Sequence, residues 1–350
     1  MDFNFLKQCR LGVVMILLFV CSFSLRAQDF NFDDFLRASA SDANTLIGEY
    51  MNPAMTGFGY SINGGWYNTA KTHKKLGFDL TVTVNAAQVP DAAETFLFRN
   101  SDYSNIRLAN GTSADLPTLM GSDGQAPTLE SFSNVGGQEI VTQFQAPQGL
   151  GLGNFNVVPA PTINLGVGLI KNTDLKVRYM PEVSSNDFKM DLVGFGIMHD
   201  IKQYIPFLKR LPIDVSVLAA YTSANVTYDL NDLGVDGSNQ EAGYDITAWT
   251  AQLLVSKKLA LFTFYGGVGY NNATTSLKMT GEYIIQEATN VGGQNVPEVT
   301  ITDPIDLEFE SNGVRATVGL RIKLAVLTIH ADYTAQEYNV IAGGIGLAIR

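Results

Sequence analysis

Three histidines, His73, His199 and His330, are all the imidazole this chain has, and its two cysteines, Cys9 and Cys21, lie near the N-terminus. None of the histidines stands in a His-Glu-x-x-His arrangement, and no cysteine pair accompanies them, so no zinc site is expected. His330 lies two positions from Asp332, which puts both on one face of a strand. General-base chemistry uses such a pair, but a nucleophile is also needed. The nearest approach to a nucleophile elbow, Gly59-Tyr60-Ser61-Ile62-Asn63, lacks the second glycine and reads as strand. His330 and Asp332 are therefore read as a polar pair. Asp229-Leu230-Asn231-Asp232-Leu233-Gly234 opens like a calcium loop, then places Leu233 and Gln240 where oxygen ligands belong. Gly266-Gly267 and Gly343-Gly344 lack the strand-to-helix context of a phosphate loop. No enzyme, metal or cofactor is implied.

One cluster remains: Arg315, Arg321, Lys323, His330 and Asp332. Its meaning depends on the elements carrying it. From Val314 to Leu324, apolar Val314, Ala316, Val318, Leu320 and Ile322 alternate with Arg315, Thr317, Gly319, Arg321 and Lys323. The phase flips around Leu324-Ala325-Val326, and Leu327, Ile329, Ala331 and Tyr333 then oppose Thr328, His330 and Asp332. Period-two alternation describes a hairpin with one polar and one apolar face. It recurs at Leu76–Val84, Ile163–Leu169, Ile213–Tyr221 and Phe262–Tyr270, giving about twelve to fourteen strands, many near the length a tilted membrane strand needs. Short turns at 171–174, 256–260 and 323–326 alternate with long polar connections at about 90–137, 231–243 and 286–304. Residues 199–208 are expected to form a helical turn ended by Pro206.

Lys7 and Arg10 precede an apolar run, Leu11–Leu25, that exits through Arg26-Ala27-Gln28. That is the layout of a secretory signal peptide over residues 1–27, cleaved after Ala27. Without it the formal charge is (23 − 3) − (34 − 1) = −13, which argues against a nucleic-acid partner. Both cysteines would leave with the leader, so no disulfide framework is expected. Alternation alone fits a soluble sandwich equally well. The export signal and the Tyr and Trp residues near strand ends (Trp66, Tyr67, Tyr179, Tyr221, Trp249, Tyr270) favour an outer-membrane barrel with polar residues inside. A secreted soluble β-protein is the lesser alternative.

Gly48–Asn68, GEYMNPAMTGFGYSINGGWYN, resembles the long-chain fatty-acid transporter family of outer-membrane barrels (the FadL, OmpP1 and TodX group), whose Asn-Pro-Ala element is matched by Asn52, Pro53 and Ala54. The resemblance implies an all-β, antiparallel up-and-down transmembrane barrel of about 14 strands. It further implies an N-terminal hatch over 28–57, a barrel over 58–350 and passage of a small hydrophobic compound. A barrel that is structural, or that serves protein secretion by binding a protein through its long loops, is the alternative. The expected surroundings are outer-membrane lipids. Arg315, Arg321 and Lys323 are expected to pair with lumen acids such as Asp79 or Asp332 and hold the N-terminal segment, more than to attract a carboxylate ligand.

Overall fold

The computed structural model describes residues 40–349, apart from 136–137, 186–187, 231–236, 287–288, 292–293 and 297–298. The leader, residues 28–39 of the expected hatch and the centre of the calcium-like loop lie outside the described residues.

A helix, α1 (Ala40–Ile62), comes first. Ten strands follow that close into a ring: β1 (Phe78–Gln88), β2 (Val157–Gly168), β3 (Thr173–Ser185), β4 (Phe188–Asp200), β5 (Asp214–Asp229), β6 (Gly237–Leu259), β7 (Phe262–Gln286), β8 (Ile305–Leu324), β9 (Leu327–Ala335) and β10 (Val340–Ile349). Each pairs antiparallel with its neighbours in sequence order, and β1 pairs with β10 through ten rungs, Phe78↔Ile349 to Ala87↔Val340. The fold is an up-and-down antiparallel β-barrel. It has ten strands in the ring where about 14 were expected, because other strands sit in the connections.

Burial along the strands is inverted relative to a soluble sheet. On β1, Asp79, Thr81, Thr83 and Asn85 are buried, whereas Phe78 and Leu80 are exposed. On β8, Arg315 and Arg321 are 4% and 3% exposed, against 78% for Val314 and 66% for Val318. The arginines are inside. The outward apolar band on β8 runs from Leu324 to Val314 and then gives way to Asn312, Glu310, Glu308 and Asp306. Trp249 and Tyr270 mark the same transition on β6 and β7, where Asn272 is the cross-strand partner of both Trp249 and Asn312. Ten steps at ~3.3 Å, tilted by ~40°, give a band about 25 Å tall.

The short turns Leu169–Asn172, Ala260-Leu261 and Ala325-Val326 lie at one end. Between β4 and β5 the same end carries a 3-10 turn, Lys202–Tyr204, and the short helix α2, Pro206–Lys209. Pro206 begins α2 instead of ending a helix, because proline has no N–H to leave unsatisfied at the first turn. At the opposite end, residues 89–156 fold into two small sheets. One pairs Thr95–Arg99 with Ser113–Pro117; the other orders Ile106–Leu108, Thr128–Val135 and Gln138–Gln145. Phe96, Phe98, Ile106, Leu116, Leu129 and Phe144 form their core together with Leu46 of α1. The stretch expected as a long polar loop is a small module with its own apolar centre.

The barrel wall has one short seam. β2 and β3 share rungs only from Asn164↔Arg178 to Gly168↔Asp174. Beyond them both strands continue, carrying Pro159 and Pro161 on β2 and Pro181 on β3. Proline has no N–H to give a ladder and is tolerated where none is needed.

Candidate functional site

Residues 40–77 pack against the inward-facing side of the ring's strands. α1 has an apolar stripe at helical spacing (Ala43, Leu46, Ile47, Pro53, Gly57, Tyr60) and is acidic in its first turn at Asp42. It runs to Ile62, so Gly59–Ile62 is helix end, not strand. β1 starts at Phe78 and not near 58. Gly59 allows the close approach that this requires: a Cβ there would overlap the Ser311 side chain of β8.

A helix end leaves carbonyls without partners and carries partial negative charge. Here two buried arginines supply both donors and charge. Arg178 of β3 is 0% exposed. It donates from Nη1 to the Ile62 carbonyl at 2.5 Å, from Nη2 to the Gly64 carbonyl at 2.6 Å and from Nε to Asn164 Oδ1 at 2.9 Å. Its guanidinium lies 4.1 Å over the Trp66 ring. From the other wall, Arg315 Nη1 donates to the Asn63 carbonyl at 3.0 Å. Such charge-assisted bonds to a desolvated backbone are among the stronger hydrogen bonds a protein makes.

Past the helix, residues 63–77 run extended through the ring to its short-turn end. Tyr67 Oη donates to Gln252 Oε1 at 3.1 Å. Ser256 Oγ accepts from the Ala70 N–H at 3.0 Å, and Ser216 Oγ donates to the Ala70 carbonyl at 2.6 Å. The backbone N–H of His73 and its Nδ1 both meet the fully buried Asp174 carboxylate at 2.8 Å, while Nε2 lies 3.4 Å from Asp79 Oδ1. The chain then turns at Leu76 (φ 67) and enters β1.

The residues singled out from sequence fall in two places. Asn52, Pro53 and Ala54 lie in the middle of α1 instead of directly before the first strand. Asn52 is exposed, and its Oδ1 accepts from Thr56 Oγ1 at 3.1 Å. Pro53 is buried, and Ala54 packs against the cluster of Tyr60, Tyr338 and Val340. Arg315, Arg321, Lys323, His330 and Asp332 share the inner side of β8 and β9 without forming one cluster. Arg321 and His330 are cross-strand partners. His330 Nε2 meets Thr83 Oγ1 at 3.4 Å, Lys323 Nζ donates to the Ala348 carbonyl at 2.8 Å, and Asp332 Oδ2 accepts from Tyr265 Oη at 2.7 Å. Arg315 reaches a backbone carbonyl where an acid was expected. Sequence reasoning missed Arg178 and Asp174, considered His73 only as a metal ligand, and placed Trp66 and Tyr67 at the membrane edge, whereas both are buried inside the ring, Trp66 beneath the Arg178 guanidinium. The alternation Asp174, Lys176, Arg178 against Leu175, Val177, Tyr179 was the signal that could have found the charged pair on β3. Among the described residues no group of three or more His, Cys, Asp or Glu is placed to hold a metal ion.

A family model described as "Family of unknown function (DUF6588)" matches residues 6–349. The chain belongs to this family. No curated protein matches the sequence. Among solved structures, the translocator domain of the autotransporter NalP from Neisseria meningitidis is 12% identical, with 79% of this chain and 90% of that chain covered and a TM-score of 0.31. Ail, the attachment invasion locus protein of Yersinia pestis, is 8% identical over 78% and 98%, with a TM-score of 0.26. The Pseudomonas putida toluene transporter TodX is 9% identical over 78% and 67%, with a TM-score of 0.25. Likeness of this degree transfers no function to the DUF6588 chain.

Proposed function

We propose that the chain is an outer-membrane β-barrel closed by its own residues 58–77, which works by presenting the module outside the apolar band to a protein partner. The membrane assignment is supported by the outward apolar band, its aromatic edge and the export signal expected over residues 1–27. Short turns would face the periplasm and the long connections the exterior. The observation that carries closure is Arg178, which fastens the helix end from within the wall. Passage of a small hydrophobic compound through an N-terminal hatch, as the transporter resemblance implies, would require displacing residues 58–77. The lumen lining, with Thr81, Thr83, Asn85, Thr162, Asn164, Thr250 and Gln252, suits hydrogen bonding to a peptide segment better than contact with an apolar solute.

The test is reconstitution of the purified protein into planar lipid bilayers. The protein should insert and give no steady current. An ohmic wild-type conductance, or recovery of the protein in the soluble fraction without detergent, overturns the proposal. Unchanged uptake of a labelled hydrophobic solute in cells lacking the protein would separate this reading from transport.

A further inference from the structure

Strand edges are where one chain most readily pairs with another, and proteins guard them with proline, lysine, brevity or cover. In this molecule the edges are treated unequally. The open part of the β2–β3 seam carries Pro159, Pro161 and Pro181. In the outer module, the edge strand Ile106–Leu108 has three residues, and Ser113–Pro117 ends on proline. Gln138–Gln145 is the longest of the module's edge strands. Its eight residues, QEIVTQFQ, contain no proline, lysine or glycine, and it is the outermost strand of its sheet.

This edge is built to stay in place. Phe144 anchors one end in the module's core. Arg107 spans the hairpin: Nε meets Glu130 Oε2 at 2.9 Å on the central strand, Nη2 meets Glu139 Oε2 at 3.1 Å on the edge strand, and the guanidinium lies 4.7 Å over the Phe132 ring. Gln143 Nε2 adds a bond to Glu130 Oε1 at 2.9 Å. Beyond the core, Ile140 and Val141 are 52% and 40% exposed and point to opposite faces. A partner strand added here would find an apolar contact on each face and a rigid backbone template, which lowers the ordering cost of binding.

Charge narrows the partner. Residues 89–156 hold two arginines and seven acids, a formal 2 − 7 = −5. Asp306, Glu308 and Glu310 add to that sign on the outward face of β8. A second acidic copy would be repelled, whereas an extended cationic segment would be attracted before contact. We infer that Glu139–Gln145 is a receptor edge that takes an extended, alternately apolar and basic segment of a partner protein by antiparallel strand addition. This inference rests on the reading of the outer module as the working surface.

The experiment uses the full protein in nanodiscs and three fluorescent nine-residue peptides. One alternates valine with lysine, one alternates valine with glutamate, and the third is the lysine peptide with alternate backbone nitrogens methylated. Saturable binding is expected for the lysine peptide alone, with at least tenfold weaker binding of the methylated form, which keeps charge and loses the ladder. The double substitution Ile140→Lys with Val141→Lys lies on exposed positions and should weaken the lysine peptide at least tenfold. Equal binding of the plain and methylated peptides, or no binding by a protein that is silent in bilayers, overturns the edge assignment and leaves the closed barrel standing. An ohmic conductance overturns the closed barrel whatever the peptides do. A dimer of unliganded protein that the double substitution dissolves overturns the foreign partner in favour of a second copy.

Discussion

Arg178→Met removes the fastening of the lumen segment while keeping a side chain of similar length. Three buried acceptors lose their donor: the Ile62 and Gly64 carbonyls and Asn164 Oδ1. Each orphaned acceptor costs ~1–3 kcal/mol. The Trp66 ring loses a desolvated cation worth about 2 kcal/mol. Against this, the desolvation cost of the guanidinium itself, several kcal/mol, disappears with the charge. The balance favours release of residues 58–77 by about 3–4 kcal/mol, or roughly 10²–10³-fold in the released fraction. The assay is thiol labelling of Thr69→Cys, a position 5% exposed inside the ring, in a background with Cys9 and Cys21 changed to serine. When closing outpaces labelling, the rate of reaction with a water-soluble maleimide follows the released fraction. Arg178→Met should raise that rate at least 100-fold. Arg99→Met, whose wild-type side chain is 55% exposed in the outer module, should leave it unchanged. A change of less than threefold for Arg178→Met would refute the idea that arginine donors hold the helix end.

Three further outcomes follow from the same geometry. Val318→Arg puts a charge in the middle of the outward apolar band at a cost of ~2–4 kcal/mol, so the folded, heat-modifiable species on unboiled gels should diminish; an unaffected folded fraction would count against lipid on that face. Gly344→Val should block closure of β10 on β1, because its Cβ would lie 2.5 Å from the Val82 carbonyl oxygen, 2.8 Å from Thr83 Oγ1 and against His330. Gly343→Val, where a Cβ meets nothing within 4 Å, should fold normally in the same refolding assay. Asp42→Ala removes the carboxylate that accepts from the Ser104 N–H at 3.0 Å and the Asn105 N–H at 2.6 Å, so exchange of those two amides should speed at least tenfold, read by hydrogen exchange with mass spectrometry.

The sequence by itself determined the faces. Side chains alternate across a strand by covalent geometry, so Arg315, Thr317 and Arg321 had to share one side and Val314, Val318 and Leu320 the other. Turn lengths likewise separated one end of the barrel from the other. What alternation does not specify is which strand is a neighbour, and therefore the count in the ring. Strands such as Thr128–Val135 and Gln138–Gln145 belong to a loop module because Phe96, Phe98, Leu116 and Leu129 find one another and Leu46, a set of contacts between distant parts of the chain. The end of α1 was illegible for a related reason. Tyr60, Ser61 and Ile62 read as strand locally, and their helical state is maintained by Arg178 and Arg315, more than a hundred residues away. The partners of those arginines are backbone carbonyls, which every residue carries and which no residue type announces. Only the tertiary structure decided that the buried charges hold a helix end and not an acid, because an unsatisfied carbonyl at a helix terminus exists only once the helix has been placed inside the ring.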